Sequence, residues 1–366
     1  MTEQNEVRIL VDTSTTAQSR LIHISPEILE LLESDIEKDH LQLKSAGPDE
    51  PTFLCSYSKT FQVRQISQSN TLLLLSPRND SSLVATTLPG GYLELVDTSS
   101  SSSSSKPSLD FSCIPFYHDR YLLQASSMQS LESRQLSLSQ FQSRSPVSPV
   151  EFRQAWVENL GVEIDGFAYR LSHQLVSQLI PIVFAAVQAD ELDLDNLFLN
   201  DVVRSVHQVD DDEPVQVIET ILSRFSHLPA QEPYRFDRDQ LTKWLGITVL
   251  ADMAAFDDVK LADFMTAWGA SLPTFLDTSC NLALLTGQYV QLEPELIRFL
   301  PSSRLPDDPA TRFERLFAIK SSWHVDEIIP FLTEITQDRA KINTLFMKFA
   351  KKKIIKGKTY YGKRSI

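Results

Sequence analysis

Twice in this chain a helix runs straight into a hairpin, and that repetition constrains the fold more than any single motif. Ser148-Pro149-Val150-Glu151 is a capping box with proline at the first helical position. The helix it opens carries Phe152, Ala155, Trp156 and Leu160 on one face. VEIDGFAYRL (162–171) follows, two short β runs around Asp165-Gly166, the signal for a two-residue type I′ turn. Near the C-terminus Ile342, Leu345, Phe346 and Phe349 form a second helical stripe, and KIIKGKTYYGKR (353–364) supplies strands around Lys356-Gly357. Glycine and tyrosine stand three apart in both hairpins (Gly166/Tyr169, Gly357/Tyr360). A third echo lies between: Asp263-Phe264-x-x-Ala267-Trp268 matches Glu151-Phe152-x-x-Ala155-Trp156 at an offset of 112. Helix-and-hairpin units in series predict tandem winged helices. The bland alternative is unrelated amphipathic helices with hairpins between them.

The first 97 residues obey a different rule. VRILVD (7–12), SRLIHIS (19–25), TFLCSY (52–57), KTFQVRQIS (59–67), TLLLLS (71–76), LVATT (83–87) and GYLELV (91–96) are short β-rich runs, several divided by Pro/Gly/Asn/Asp breakers. One helical patch, Pro26 to Ser34, interrupts them, with Ser25 as its cap. The expected fold class is therefore α+β: an N-terminal antiparallel, barrel-like β domain followed by tandem winged helices. So few short strands leave edges that must be covered, and a barrel completed by another chain is one solution. The expected boundaries are a β-rich assembly domain at 1–97 and a Ser-rich linker at 98–112, including seven consecutive serines at 99–105. A winged helix at 113–172 follows, then a second at 173–300 with room for two units, and a last, basic one at 301–366.

Charge sorts the hairpins by partner. From Arg339 to Ile366 there are ten basic residues and no acidic one, while the first 338 residues hold 24 basic and 48 acidic residues. An acidic body with a basic end is the asymmetry of a chain that meets a polyanion at one end only. The first hairpin carries Glu163 and Asp165, which repel phosphate and mark it as a protein contact. The last carries Lys353, Lys356, Lys358, Lys363 and Arg364, and its preceding helix adds Lys341, Lys348 and Lys352 as a stripe beside the apolar one. With all eight cations on phosphates, log K would fall with log[salt] at a slope of about −7. Tyr360 and Tyr361 read as packing residues of this hairpin before they read as base-stacking ones.

No catalytic constellation emerges. Gly357-Lys358-Thr359 resembles the end of a P-loop, but position 352 is Lys where that loop needs Gly. The seven histidines form no close ligand pair, and Cys55, Cys113 and Cys280 are too far apart for a zinc motif or a disulfide scaffold. Neither a metal nor an organic cofactor is expected. The polar start predicts no signal peptide, and the longest apolar run, Leu179 to Val187, contains Pro181 and is too short to span a membrane. Asn79-Asp80-Ser81 is a glycosylation triplet without a route to secretion, and Asp210-Asp211-Asp212-Glu213 reads as a solvated loop.

Four segments carry a family resemblance. TFLCSYSKTFQVRQISQSNTLLLL (52–75), EFRQAWVENLGVEIDGFAYRLS (151–172), KLADFMTAWGASLP (260–273) and RFERLFAIKSSWHVDEIIPFL (312–332) resemble, in order, the sister-chromatid-cohesion (Dcc) subunit of the alternative, replication factor C-like clamp loader. That resemblance implies a non-enzymatic nuclear protein. Its β-rich N-terminus would join a very small companion subunit and the tail of the large clamp-loader ATPase in a composite barrel. Its winged helices would dock the catalytic part of polymerase epsilon and touch DNA without sequence preference, in replication and sister chromatid cohesion. Carried residue by residue, Phe61, Val63, Arg64 and Ile66 fall in the partner-facing β region, and the Lys-rich stretch 351–364 falls where the family contacts DNA. A stand-alone winged-helix regulator is the alternative, and it leaves the β domain idle. Two departures stand out: the seven-serine run, and Pro330 inside HVDEIIPFLTEI (324–335), where an interior helical proline costs about 3 kcal/mol unless it sits at a kink.

Overall fold

Short β-rich runs become strands in the computed structural model, which describes residues 8–12, 20–34, 41–67, 72–78, 82–88, 91–98, 107, 109–117, 136–209, 213–228, 231–254, 257–273, 276, 278–336 and 338–364. The seven serines, Asn79-Asp80-Ser81 and Asp210-Asp211-Asp212 lie outside the described residues. The chain divides into two units: residues 1–101 with 105–109 and 142–152, and the remainder.

The first unit contains β1 (Ile9–Asp12), β2 (Ile22–His23), α1 (Pro26–Glu33), β3 (Gln42–Ser45), β4 (Thr52–Cys55), β5 (Thr60–Ile66), β6 (Leu72–Pro77), β7 (Leu83–Leu88) and β8 (Tyr92–Asp97). Ser25 caps α1 as expected, its Oγ accepting from the Ile28 amide at 3.4 Å, with Pro26 in the first turn. The strands form a five-stranded sheet, order β2-β8-β5-β4-β3, and a three-stranded sheet, order β1-β7-β6. This corrects the antiparallel part of the expectation. The described strands make two open sheets, and β1 on β7 and β2 on β8 run parallel. Both parallel strands reach their neighbours through long connections, which permit an approach that a tight hairpin forbids. β3 was not anticipated, because Gln42-Leu43-Lys44-Ser45 lacks the composition of a strand and is held by its pairing with β4.

The predicted capping box is built, and strand β5 joins it. Ser148 Oγ donates to Glu151 Oε2 at 2.7 Å, and the Glu151 amide donates back to Ser148 Oγ at 3.3 Å. Thr60 Oγ1 donates to the same carboxylate and accepts from the Ser148 amide at 2.8 Å. Ser148 and Thr60 are both buried, so this polar knot is satisfied within the unit rather than by water.

Along the rest of the chain come β9 (Phe116–Tyr117), α2 (Leu138–Arg144), α3 (Pro149–Glu158), β10 (Gly161–Ile164), β11 (Phe167–Leu171), α4 (His173–Ala189), α5 (Leu199–His207), α6 (Val215–Arg224) and α7 (Arg238–Met253). Then follow β12 (Val259–Lys260), α8 (Leu261–Ser271), β13 (Tyr289–Glu293), β14 (Leu296–Phe299), α9 (Pro309–Ile319), β15 (Ser322–His324), α10 (Val325–Ile328), α11 (Arg339–Phe349), β16 (Ala350–Ile355) and β17 (Lys358–Lys363). Three small sheets repeat one plan: β10-β11-β9, β12-β14-β13 and β15-β17-β16. In each, the second hairpin strand is central, and a short strand from earlier in the chain pairs with its open side. β12 and β15 do so antiparallel, whereas β9 runs parallel to β11. Residues 173–253 form the helical stretch α4–α7, whose faces bury Val176, Val183, Val202, Ile218 and Leu241 in one cluster.

The tryptophan echo is a likeness of helices and not of position. Trp156 sits on α3, which leads into its hairpin, whereas Trp268 sits on α8, which follows β12 directly and is parted from its hairpin by residues 272–288. Trp268 is fully buried, and its Nε1 donates to the Thr242 carbonyl of α7 at 3.0 Å. A Cβ at Gly246 of α7 would come within 2.6 Å of the Trp268 ring. Intrinsic helix propensity favours alanine over glycine by about 1 kcal/mol, but overpacking a core costs about 1–3 kcal/mol. Gly246→Ala is therefore expected to lower stability, seen as a drop in the urea midpoint at unchanged slope.

Pro330 turns out to break nothing. α10 stops at Ile328, and Ile329–Phe331 is a 3₁₀ turn with the proline in its first positions, where no intrahelical N–H is required. Phe111 is already buried, against Phe141 at 5.3 Å, so packed chain resumes just before the expected end of the linker.

Candidate nucleic-acid interface

The basic hairpin is placed by a helix that enters it without a loop. Asp338 caps α11, its Oδ1 accepting from the Ala340 amide at 2.8 Å, and Ile342 and Phe346 anchor the helix in the core. At Ala350 the backbone turns extended and β16 begins. β16 and β17 pair in register from Ala350↔Lys363 to Ile355↔Lys358. The turn residues Lys356 and Gly357 both have positive φ, 50° and 76°, as the type I′ expectation requires; Asp165 and Gly166 do the same at 53° and 81°.

Both tyrosines of the last hairpin pack. Tyr361 stacks on Phe346 with centroids 3.9 Å apart, and Tyr360 meets His324 edge-on at 5.3 Å. The cations around them divide into two sets. Lys351, Lys352, Lys353, Lys356, Lys358 and Lys363 are exposed and have no carboxylate partner among the described residues. Lys352 lies on β16 and not on the helix stripe expected for it, because α11 ends three residues earlier. Arg364 is committed to structure: its Nη1 donates to the Met347 and Lys348 carbonyls at 2.8 and 3.3 Å, closing the C-terminal end of α11. Lys348 lies over the Phe349 ring at 5.1 Å, and Lys341 is exposed on the same helix. The hairpin from Ala350 to Lys363 contains no acidic residue, so the six unpaired lysines form one positive blade.

The other expected site residues fall as follows. Glu163 and Asp165 are exposed at the first hairpin's tip. Phe61 is only 4% exposed and belongs to the first unit's own core. Val63 and Ile66 are half-buried and Arg64 is exposed, with its Nε donating to Gln62 at 2.7 Å. All four stand on β5, which is flanked by β8 and β4 and has no open backbone edge. Among the described residues, the open edges belong to β1, β6, β2 and β3. Leu73, Leu74 and Leu75 on β6 are all exposed, so that strand offers apolar side chains on both faces beside unpaired backbone. A run of four leucines at an edge was a signal available in the sequence. Among the described residues no cluster of His, Cys, Asp and Glu is arranged to hold a metal ion, and no helix is long and apolar enough to cross a membrane.

Open apolar strand edges in one unit, and serial helix-and-hairpin sheets ending in an unpaired lysine blade in the other, define a mixed α+β protein. The sister chromatid cohesion protein Dcc1 family model matches residues 19–332, and the chain belongs to that family. The Saccharomyces cerevisiae sister chromatid cohesion protein DCC1 is 25% identical over 366 residues, covering 94% of this chain and 96% of its own. The Danio rerio protein of that name is 26% identical over 210 residues, 55% of this chain and 51% of its own. The human one is 26% identical over 159 residues, 42% of this chain and 39% of its own. Among solved structures, a bacterial selenocysteine-specific elongation factor aligns at a TM-score of 0.17 and 12% identity, over 84% of this chain and 50% of its own, and bears on nothing here.

Proposed function

We propose that this cohesion-family chain is a non-catalytic accessory subunit of an alternative clamp loader, acting in the nucleus to tether that loader to polymerase epsilon and to DNA. The observation that carries the proposal is that each unit has its own incomplete surface. The first unit leaves β6 and its three exposed leucines open, and the last hairpin leaves six lysines unpaired. A small companion subunit and the tail of the large ATPase would add strands to the open edges and complete a barrel. The three repeated sheets with their helices would be winged-helix units, the acidic tip of the first meeting the polymerase and the blade of the last meeting phosphate. No cofactor takes part, and DNA is bound through charge and not sequence.

The test is a tagged pull-down washed at high salt and read by mass spectrometry. Recovery of a small companion subunit, clamp-loader ATPases and polymerase epsilon is the expected result; recovery of the bare chain overturns the proposal. Leu73→Lys with Leu75→Lys should abolish recovery of the companion and leave duplex binding by the full chain intact, since the two surfaces share no residue. Loss of both would show that the substitutions had unfolded the chain instead.

A further inference from the structure

The lysine blade ends in two isoleucines. Ile354 is 69% exposed and Ile355 49%, and they are the last residues of β16 before the Lys356-Gly357 turn. Side chains alternate along a strand, so the pair divides between the two faces of the hairpin. Ile354 shares its face with Lys352 and Tyr361, the tyrosine stacked on Phe346. Ile355 shares the other with Lys353 and Tyr360. The tip is thus apolar on both sides, and Lys352, Lys353, Lys356 and Lys358 surround it. Isoleucine is stiff at χ1, so neither side chain has much freedom to lose when it is inserted into something.

We propose that this tip is a wedge: with the lysines on phosphates, Ile354 and Ile355 enter the minor groove and part a base step, kinking the duplex. This rests on the nucleic-acid reading of the basic hairpin and adds a mode of binding to it. Three features favour it. The cations flanking the tip select a polyanion. The minor groove, about 6 Å wide, is too narrow for a helix, and β-ribbon proteins enter it with strands. Exposed branched aliphatic side chains on a basic element are what unstack a step in proteins that bend DNA by about 20–90°. An anionic membrane also attracts lysines, but surface binding there calls for a broad apolar face, and two side chains on opposite faces of a ribbon do not make one.

The experiment uses the full chain and a 30-bp duplex carrying donor and acceptor dyes at its ends, with 2-aminopurine at the centre of a second duplex. The wild-type chain should raise both energy transfer and 2-aminopurine fluorescence on saturation. Ile354→Ser with Ile355→Ser should lose both signals, while affinity falls by less than about tenfold and the salt slope is unchanged, because the lysine contacts remain. Both positions are exposed, and an unchanged thermal midpoint verifies the fold. Lys352→Glu with Lys356→Glu should do the reverse, lowering affinity and slope while the bend at saturation persists. Wild-type binding without bending, or an equal bend in the double serine variant, overturns the wedge and leaves the charge reading standing. No duplex binding even at low salt removes that reading itself. Isoleucine-dependent binding to phosphatidylserine vesicles with unaltered DNA bending would assign the tip to a membrane and overturn the wedge as well.

Discussion

Reversing Lys352, Lys356 and Lys358 to glutamate together is expected to weaken duplex binding by more than about a hundredfold at low salt. Each exposed lysine–phosphate contact is worth about 1 kcal/mol in water, and reversal replaces attraction with repulsion. The salt dependence is the sharper readout. Six unpaired lysines on phosphates predict a slope of about −5, and losing three should bring it to about −3. The value of about −7 counts Arg364, whose Nη1 is spent on the Met347 and Lys348 carbonyls, and Lys341 and Lys348, which stand on α11 and not on the hairpin. Stability should not change, since the three lysines have no ion-pair partner to lose. Arg364→Ala is the contrasting variant. It should lower the thermal midpoint by fraying α11 and reduce affinity only as a consequence. Recovery of the companion subunit from a high-salt wash should survive all of these changes; if it falls while duplex binding holds, the blade is a protein dock.

What could be read from residue order alone was whatever a few neighbouring positions encode. The hairpin turns are legible because Asp165-Gly166 and Lys356-Gly357 place glycine where φ must be positive, and the Ser148/Glu151 box is legible because its partners are three residues apart. The lysine blade needed only counting. Placement across long sequence separations was not legible. Strand β5 was predicted as a strand, but nothing local says that β8 and β4 flank it and draw Phe61 inward. Likewise Thr60 joins a cap 88 residues away through the Ser148 amide. β3 exists by pairing and not by propensity. The Trp156/Trp268 echo misled for a related reason: an Ala-Trp pair on an amphipathic helix satisfies any buried helix face, and similarity of faces carries no information on which slot of a repeat the helix fills.

Arg312 shows the same limit with the largest consequence for stability. Its side chain is completely buried on α9, where a sequence reader expects a surface cation. All three guanidinium nitrogens are used. Nε donates to the Pro306 carbonyl at 2.6 Å, Nη1 to Phe331 at 2.7 Å, and Nη2 to Leu305 at 3.1 Å and Glu334 Oε2 at 3.1 Å. Glu334 in turn accepts from Ser302 Oγ at 2.8 Å, so one carboxylate and one guanidinium tie the turn at 302–306 and the turn at 331–334 to a single helix. Replacing Arg312 by methionine would keep much of the volume but orphan three carbonyls and leave Glu334 without its cation, so the usual exchange of a buried pair for an apolar group brings no gain here. The expected loss is about 3–5 kcal/mol, measured by urea unfolding. Lysine restores the charge but reaches one acceptor cluster at a time, so Arg312→Lys should recover less than half of it. The effect should spread to DNA. Phe313, the next residue on α9, contacts Phe346 and Phe349 of α11 at 5.9 and 5.6 Å, so loosening α9 frees the helix that aims the lysine blade. Binding by Arg312→Met should therefore fall at 37 °C and recover on cooling, with the salt slope unchanged. A change in slope at constant stability would instead make Arg312 a phosphate ligand, which its burial forbids.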